Sequence, residues 1–537
     1  MKKFYPTILL ALLCLTTKAQ SPNWAWAQGV GNTDSDYGVS IVNDALGNLY
    51  VTGYFASSSI LFGSTLLTNS GSSDIFIAKY DALGNLLWAK SAGGSGTEYA
   101  ESVATDSFGN VYVSGNFDSP TINFGANTLT NQGNTDMFIV KYDDQGNVLW
   151  AKRGGGTGNE SARCTSTDAF GNVYVTGNFA SPSIIFGTTT LSNSNSPLGD
   201  IYLVKYDAQG NLVWAKREGQ VGDENVMSAA VDAFGNVYIT GCYISSTITF
   251  GATSLINTGG GDVFLVKYDS SGNALWAKGF GGSTGIEIAN AVAIDPLGNV
   301  CVTGYYESTN FMIDTITLLN SGNRDIFVVK FDAAGNFVWI HGVGNTGLEQ
   351  ASSINVDTDG NVYITGLYVS PSISIGSTTI VNQGLWDIFL LKYDTNGNII
   401  WSEGIGGFDN ETGTDIAADV YGNIYITGWY SSPSITFGSI VLNNAGLGDI
   451  FIAKVDASLT DDKEQNANLE FKFYPNPSTG IYCFNDNRNI QSIEVFNMMG
   501  ELILSQGNAK QINLQAFPKG IYVARINGTF VARLVKE

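Results

Sequence analysis

Short runs of apolar and aromatic residues, bounded by Gly, Asn and Asp, recur along most of the chain. In one repeat they fall at residues 100 to 105, 110 to 115, 136 to 142 and 147 to 152. Each run is rich in Val, Ile, Tyr, Phe or Trp, and this composition between turn residues is typical of strands. The pattern predicts an all-β protein built from units of four short strands.

The unit repeats seven times. A segment of the type Gly-Asn-x-Tyr-x-Thr-Gly recurs in steps of 62, 62, 64, 63, 62 and 62 residues. Such a period indicates an array of units that are each too small to bury their own apolar face. Four strands per unit is the composition of a propeller blade. The first Gly of each copy is Gly47, Gly109, Gly171, Gly235, Gly298, Gly360 or Gly422.

A copy of the fourth strand precedes the first repeat, and the last repeat lacks its own fourth strand. This predicts how the ring closes. The first fourth-strand Trp is Trp26, ahead of all other repeats, and none follows the last third strand. We therefore expect residues 23 to 28 to pair with residues 449 to 456 and seal the ring, which removes open sheet edges. The seven third strands begin at Asp74, Asp136, Asp200, Asp262, Asp325, Asp387 and Asp449.

These units resemble SBBP repeats of seven-bladed β-propellers. The likeness covers residues 23 to 456 and implies a seven-bladed fold with four-stranded blades, closed by the N-terminal strand. It implies nothing about a ligand, because propellers carry many functions.

One acid precedes the first turn of every blade by eight residues. We expect these carboxylates to ring one mouth of the central channel, opposite the tight Asp-x-x-Gly-Asn turns. Such a ring could hold Ca²⁺ or attract a cation. Alternatively, each carboxylate accepts hydrogen bonds from backbone N–H groups, and sevenfold repetition favours this reading. The residues are Asp36, Glu98, Glu160, Glu224, Glu287, Glu349 and Glu411.

Residues that break the repeat are better ligand-binding candidates than residues that keep it. Aromatic side chains on a rim can stack on sugars or anchor a protein partner. Drift at tolerant surface positions is the alternative explanation. The candidates are Tyr54, Tyr305, Trp386 and Trp429.

The composition and the first residues predict export. Lys2 and Lys3 precede an apolar run, and a small-residue exit follows, so residues 1–19 read as a signal peptide. No later segment approaches the ~18 apolar residues of a membrane span. The formal net charge of −22 argues against nucleic acid as a partner.

Enzyme chemistry finds little support. The only histidine, His341, occupies a slot that holds Lys in other blades. Without it, no Ser-His-Asp or Cys-His arrangement can be built. Acids are abundant throughout, so a polysaccharide-active enzyme with two carboxylates stays open as a minor alternative.

A second domain follows a polar linker. We expect the propeller at residues 20–456, the linker at 457–470 and a small β-sandwich at 471–537. This last part resembles the type A C-terminal sorting domain of the Gram-negative type IX secretion system. The likeness implies recognition by that machinery, then release or attachment at the outer-membrane surface. The matching residues include Tyr474, Pro475, Asn476, Pro477, Gly500, Gly520 and Tyr522.

The sequence thus favours a secreted or cell-surface binding and adhesion module, whose ligand is a glycan or another envelope protein. An architectural spacer without a dedicated ligand is the second alternative. No cofactor is expected apart from the Ca²⁺ considered above.

Overall fold

A computed structural model describes residues 22–193, 196–457, 473–474, 478–484, 492–497, 502–507, 511–526 and 530–536. Every regular element in this part of the chain is a strand. The first half of the propeller contains β1 (Asn23–Val30), β2 (Asp36–Asn43), β3 (Leu49–Phe55), β4 (Ser59–Phe62), β5 (Thr65–Thr68), β6 (Asp74–Tyr80), β7 (Leu86–Ala92), β8 (Glu98–Thr105), β9 (Val111–Phe117), β10 (Thr121–Phe124), β11 (Asn127–Thr130), β12 (Asp136–Tyr142), β13 (Val148–Gly155), β14 (Glu160–Thr167), β15 (Val173–Phe179), β16 (Ser183–Phe186), β17 (Thr189–Ser192), β18 (Asp200–Tyr206), β19 (Leu212–Glu218), β20 (Glu224–Val231) and β21 (Val237–Tyr243).

The second half continues in the same order. It contains β22 (Thr247–Phe250), β23 (Thr253–Ile256), β24 (Asp262–Tyr268), β25 (Ala274–Gly282), β26 (Glu287–Ile294), β27 (Val300–Tyr306), β28 (Asn310–Ile313), β29 (Ile316–Leu319), β30 (Asp325–Phe331), β31 (Phe337–Val343), β32 (Glu349–Val356), β33 (Val362–Tyr368), β34 (Ser372–Ile375), β35 (Thr378–Val381), β36 (Asp387–Tyr393), β37 (Ile399–Ile405), β38 (Glu411–Ala418), β39 (Ile424–Tyr430), β40 (Ser434–Phe437), β41 (Ile440–Asn443) and β42 (Asp449–Asp456).

Seven antiparallel sheets each contain four blade strands, which we call A to D from the channel outward. Consecutive A strands pack against each other, and β2 of blade 1 also packs against β38 of blade 7, so the sheets form a closed β-propeller. Their orders are β2-β3-β6-β7, β8-β9-β12-β13, β14-β15-β18-β19, β20-β21-β24-β25, β26-β27-β30-β31, β32-β33-β36-β37 and β38-β39-β42-β1 for blades 1 to 7.

The predicted closure is confirmed. Strand β1 pairs antiparallel with β42, with Asn23 opposite Asp456 and Val30 opposite Ile450. The N-terminal strand therefore supplies strand D of blade 7.

A repeated contact joins each blade to the next, and blade 2 shows it. Lys141 Nζ lies 4.9 Å from the centre of the Tyr112 ring and donates to Ala208 O of blade 3 at 3.1 Å. Trp150 Nε1 donates to the same carbonyl at 3.3 Å. The repeated Lys and Trp thus pack together at the junction between neighbouring blades. At the seam, Trp26 Nε1 and Lys454 Nζ both donate to Ala82 O at 3.4 Å, so closure reproduces the same contact.

Each connection between strands B and C contains a two-stranded hairpin that the sequence did not predict. These rim hairpins, β4-β5 in blade 1 and its six equivalents, pack against strand D of their own blade. Most also contact strand D of the preceding blade, and β16 pairs with β13 there. Ile60 and Phe62 are buried in the process. The apolar residues of these hairpins therefore fill the outer gaps between blades.

The C-terminal region forms two small sheets. Tyr482 and Ile512 of the first share a buried cluster with Ile493, Val495 and Ala524 of the second, an arrangement that suits the expected sandwich. The sheets have the orders β43-β44-β47 and β46-β45-β48-β49, from β43 (Phe473–Tyr474), β44 (Ile481–Phe484), β45 (Ile493–Asn497), β46 (Leu502–Gln506), β47 (Gln511–Asn513), β48 (Gly520–Ile526) and β49 (Phe530–Lys536).

Candidate functional site

The seven repeated acids begin the seven A strands, as predicted, but each is fully buried in its own blade. Glu160 is representative. Its Oε2 accepts a hydrogen bond from Gly156 N at 2.8 Å, and its Oε1 accepts from Ser181 N at 3.3 Å and from the Ser181 hydroxyl. Burial raises the pKa of this carboxyl, and the hydrogen bonds oppose the shift. The acids therefore act as acceptors that tie the start of strand A to the end of strand B.

The same bonding recurs around the ring. Asp36 accepts from Asn32 N and Ser57, and Glu411 accepts from Gly407 N and Ser432 N. Among the described residues, no group of three or more His, Cys, Asp or Glu side chains could hold a metal ion. The structure thus does not bring the seven acids together as ligands of one ion. Instead, the carboxylates accept hydrogen bonds from backbone N–H groups, which is the alternative stated above.

Next to these acids lies a ring of cross-strand pairs, which we call the collar. Each pair joins the second residue of strand A to the sixth residue of strand B, at the end of the blade away from the tight turns. The pairs are Tyr37 with Tyr54, Tyr99 with Asn116, Ser161 with Asn178, Asn225 with Cys242, Ile288 with Tyr305, Gln350 with Leu367 and Thr412 with Trp429.

One arc of the collar is a row of touching aromatic rings. Trp429 lies 5.4 Å from Tyr37, Tyr37 lies 4.9 Å from Tyr54, and Tyr54 lies 4.5 Å from Tyr99, all between ring centres. All four side chains are partly exposed. The row spans blades 7, 1 and 2, so it crosses the junction between the last blade and the first. We call these four residues the aromatic arc.

A polar depression of about 310 Å³ lies beside the aromatic arc, across blades 2 to 4. Asn116, the cross-strand partner of Tyr99, is one of its walls. Asn178 Nδ2 donates to Glu224 O at 2.6 Å, whereas its buried Oδ1 has no hydrogen-bond partner within the described chain. We call this depression the amide pocket. Its other polar walls include Ser161, Arg163, Asp223 and Asn225.

Arg163 reaches the amide pocket through a feature that the sequence did not predict. Every A strand has a β-bulge at its fourth residue, which in blade 3 lies between Ala162 and Cys164. A bulge leaves one residue unpaired and redirects its side chain. Arg163 is that residue, and its guanidinium lies 4.0 Å from the Glu101 carboxylate, the bulge residue of blade 2. No local sequence signal marks a single inserted residue of this kind.

The four predicted ligand-binding residues separate into two groups. Tyr54 and Trp429 come together in the aromatic arc. Tyr305 is only 7% exposed, because the Arg324 guanidinium lies 4.3 Å above its ring. Trp386 is 40% exposed, on the connection that leads into strand C of blade 6, apart from the arc.

The sole histidine has a packing role. The His341 ring stacks on Tyr393 with a 5.4 Å centre separation, and burial lowers its pKa. Its ring also lies 5.4 Å from the Trp339 ring centre, so both of its ring contacts are with aromatic side chains.

The predicted sorting residues lie partly outside the described chain. Pro475, Asn476, Pro477 and Gly500 are outside it, as are the leader residues 1–19. Tyr474 and Gly520 lie in β43 and β48. The Tyr522 hydroxyl donates to Pro518 O at 2.6 Å. Lys536, 9% exposed, donates to Leu514 O at 3.0 Å and Gln515 O at 2.9 Å, which anchors β49 to the loop after β47.

Comparison with known protein families identifies the C-terminal region. Residues 472–535 match the family described as the secretion system C-terminal sorting domain. The chain is therefore a β-propeller protein with a C-terminal sorting domain, and it is a secreted or cell-surface protein. Within the described residues no helix is long and apolar enough to cross a membrane.

Two curated proteins are similar to this chain over most of its length. An uncharacterized WD repeat-containing protein of Acanthamoeba polyphaga mimivirus is 24% identical over 504 residues, which cover 77% of this chain and 36% of that protein. The regulatory protein FlaEY of Caulobacter vibrioides is 23% identical over 383 residues, 64% of this chain and 39% of FlaEY. The chain thus spans little more than a third of these curated relatives.

Two solved structures align with most of the chain. Sqt1 from Chaetomium thermophilum covers 82% of it with a TM-score of 0.39 and 9% identity. The Neurospora crassa Pan2 WD40 domain covers 80% with a TM-score of 0.36 and 9% identity. The likeness of the repeats to SBBP repeats stays a prediction.

Proposed function

We propose that this chain is an exported binding protein, delivered by the type IX secretion machinery through its C-terminal domain, with a ligand site at the aromatic arc of the collar, in blades 7, 1 and 2. The sorting-domain match supports the export part of the proposal. The collar supports the binding part, since its residue types change from blade to blade while the acids beside it recur in every blade.

The aromatic arc is the observation that carries this proposal. A purely architectural ring would have no need to place four contacting aromatic rings in three neighbouring blades. In blades 3 to 6 the same positions hold Ser, Asn, Cys, Ile, Gln, Leu and a single Tyr. Partly exposed aromatic groups supply large contact area at low entropic cost, which is why they dominate binding hot spots. An adhesion role at the cell surface follows if the ligand belongs to another cell or to the envelope.

The binding test uses the mature full chain on a glycan array and, in parallel, in cross-linking to outer-membrane fractions. The variant Tyr54→Ala shortens the aromatic arc, and Leu367→Ala is its control at the same collar position in blade 6. We expect a ligand that Tyr54→Ala loses and Leu367→Ala keeps. A ligand that binds both variants as well as the parent protein would place the site elsewhere, and silence in both screens would favour the spacer.

The export test removes residues 472–537 from the gene in a Gram-negative host that has the type IX machinery. The truncated protein should accumulate in the periplasm, whereas the full chain reaches the surface or the medium. Equal export of both forms would contradict the proposed route. The enzyme alternative predicts release of soluble sugar from polysaccharide substrates, and the absence of such release is expected.

A further inference from the structure

The amide pocket and the aromatic arc share a boundary, at the cross-strand pair Tyr99 and Asn116. We propose that together they bind a neutral glycan, with one sugar residue in the amide pocket and the following residues stacked along the aromatic arc. This inference rests on the proposed function and names the class of ligand and the subsite that holds its end.

The pocket walls match the hydrogen-bonding chemistry of a sugar. A sugar hydroxyl both donates and accepts, and the walls offer amides, a hydroxyl, a guanidinium and a carboxylate. Asn178 lines the pocket and is 9% exposed, and its Oδ1 is a buried acceptor without a partner in the described chain. An unsatisfied buried acceptor is costly, so a small shift of this amide that lets Oδ1 accept from a sugar hydroxyl is favoured.

Charge selects a neutral ligand over an acidic one. Arg163 is the cation of the pocket, and the Glu101 carboxylate already lies 4.0 Å from it. Asp223 adds a negative charge to the wall, and its Oδ1 accepts a hydrogen bond from Gly199 N at 2.9 Å. The protein also carries a formal charge of −22, which repels polyanions.

The same walls argue against a peptide side chain as the occupant. Protein anchors are mostly Trp, Tyr and Arg side chains, and the aromatic ones need a well-packed, largely apolar pocket. The amide pocket offers amides and charged groups instead. The adjacent rings suit the apolar C–H face of a sugar, because an aromatic face can pack against it while its hydroxyl groups stay at the edge.

The experiment measures binding of the mature full chain to gluco- and manno-oligosaccharides of one to six residues, by calorimetry and by tryptophan fluorescence. Asn225→Ala alters the pocket, and Gln350→Ala is its control at the same strand position in blade 6. Tyr54→Ala alters the arc, and Leu367→Ala is its control. We expect affinity to rise with length, and each site variant to lose about tenfold or more, since one good contact is worth about that factor. Both controls should bind like the parent protein.

The outcomes separate the two proposals. If oligosaccharides bind and only Tyr54→Ala weakens them, the collar binds sugar but the amide pocket is not the subsite. If no oligosaccharide binds while a protein partner is lost in Tyr54→Ala, the glycan inference fails and the binding function stands. If neither class of ligand depends on the collar, both fail. A melting temperature within a degree of the parent protein excludes misfolding as the cause, and Asn225→Gln, which keeps an amide, should recover part of the affinity.

Discussion

Replacing Asp387 by Asn should stabilise the propeller at pH 8 and leave it unchanged near pH 4. Asp387 begins strand C of blade 6 and is fully buried. Its Oδ2 accepts a hydrogen bond from Gln383 N at 2.7 Å, which an amide oxygen can also accept. Burial raises the pKa of its carboxyl to about 7, and the nearby charge of Glu411 adds to the shift.

The magnitude follows from the difference between the folded and unfolded pKa values. The folded pKa of about 7 exceeds the ordinary value of 3.8, so the folded state holds the proton more tightly than the unfolded state. The contribution of Asp387 to the free energy of unfolding is therefore fully present below pH 4, and it is lost as the pH rises to 7. The loss is on the order of 4 kcal/mol at 1.36 kcal/mol for each pH unit. Asp387→Asn has no carboxyl group to deprotonate, so its free energy of unfolding does not decrease in this way as the pH rises.

Tryptophan fluorescence is the assay, because all ten tryptophans lie between Trp24 and Trp429, within the propeller. Thermal unfolding of the full chain at pH 4.5 and pH 8 should show a rise of a few degrees at pH 8 only, at about one degree per kcal/mol for a domain of this size. Glu218 and Glu403, whose pKa values burial also raises to about 7, preserve part of the pH dependence in the variant.

The matched control is Asp200→Asn, at the same position in blade 3. Asp200 Oδ2 pairs with Arg217 Nη1 at 2.7 Å, so removing its charge leaves the guanidinium without a carboxylate partner there. That variant should be less stable than the parent protein at pH 8. A decrease in stability for Asp387→Asn at pH 8, or equal effects of both substitutions, would refute the reasoning.

Three further predictions concern the seam and the sorting domain. Gly31→Ala places a Cβ 2.1 Å from Asp449 Oδ1 and should cost about 1–3 kcal/mol by overpacking, whereas Gly448→Ala, whose nearest atoms are 3.8 Å away, should change the denaturation midpoint little. Trp26→Ala removes the bond to Ala82 O and should lower stability by about 3 kcal/mol in urea unfolding, with Leu87→Ala, half exposed on β7, as a near-neutral control. Lys536→Met breaks the contacts to Leu514 O and Gln515 O, so the fraction exported to the surface or medium should fall in immunoblots, and unchanged export would show that this anchor is dispensable.

Much of the fold was predictable because the repeat shows it seven times. The third strands begin at the seven predicted Asp residues, and the odd position of Trp26 correctly indicated strand exchange at the seam. The rim hairpins were not predicted, because each of their strands has only four residues and an alternation of apolar and polar residues is hard to recognise over so short a length. The apolar residues Ile60, Phe62 and Leu67, all buried in the structure, were the sequence features that could have indicated them.

The site was harder to predict, since it depends on contacts between blades. Tyr54 and Trp429 were recognisable as breaks in the repeat. Tyr37 and Tyr99, whose rings contact Tyr54, were not predicted as ligand-binding residues. The amide pocket draws on three blades whose residues are some sixty positions apart in the chain. The bulge that directs Arg163 toward it depends on strand register, which pairing across the blade decides.

Closure through β1 is the claim on which the other conclusions depend, because it brings Trp429 of blade 7 against Tyr37 of blade 1 and makes the aromatic arc continuous. Hydrogen exchange of the native full chain, followed by mass spectrometry, measures it directly. Peptides that cover residues 24 to 30 should keep about half of their amides protected, because β1 pairs with β42 on one side and alternate N–H groups of an antiparallel strand point toward the partner. Exchange of these residues at the rate of an unprotected chain, with β42 equally exposed, would contradict the closed ring.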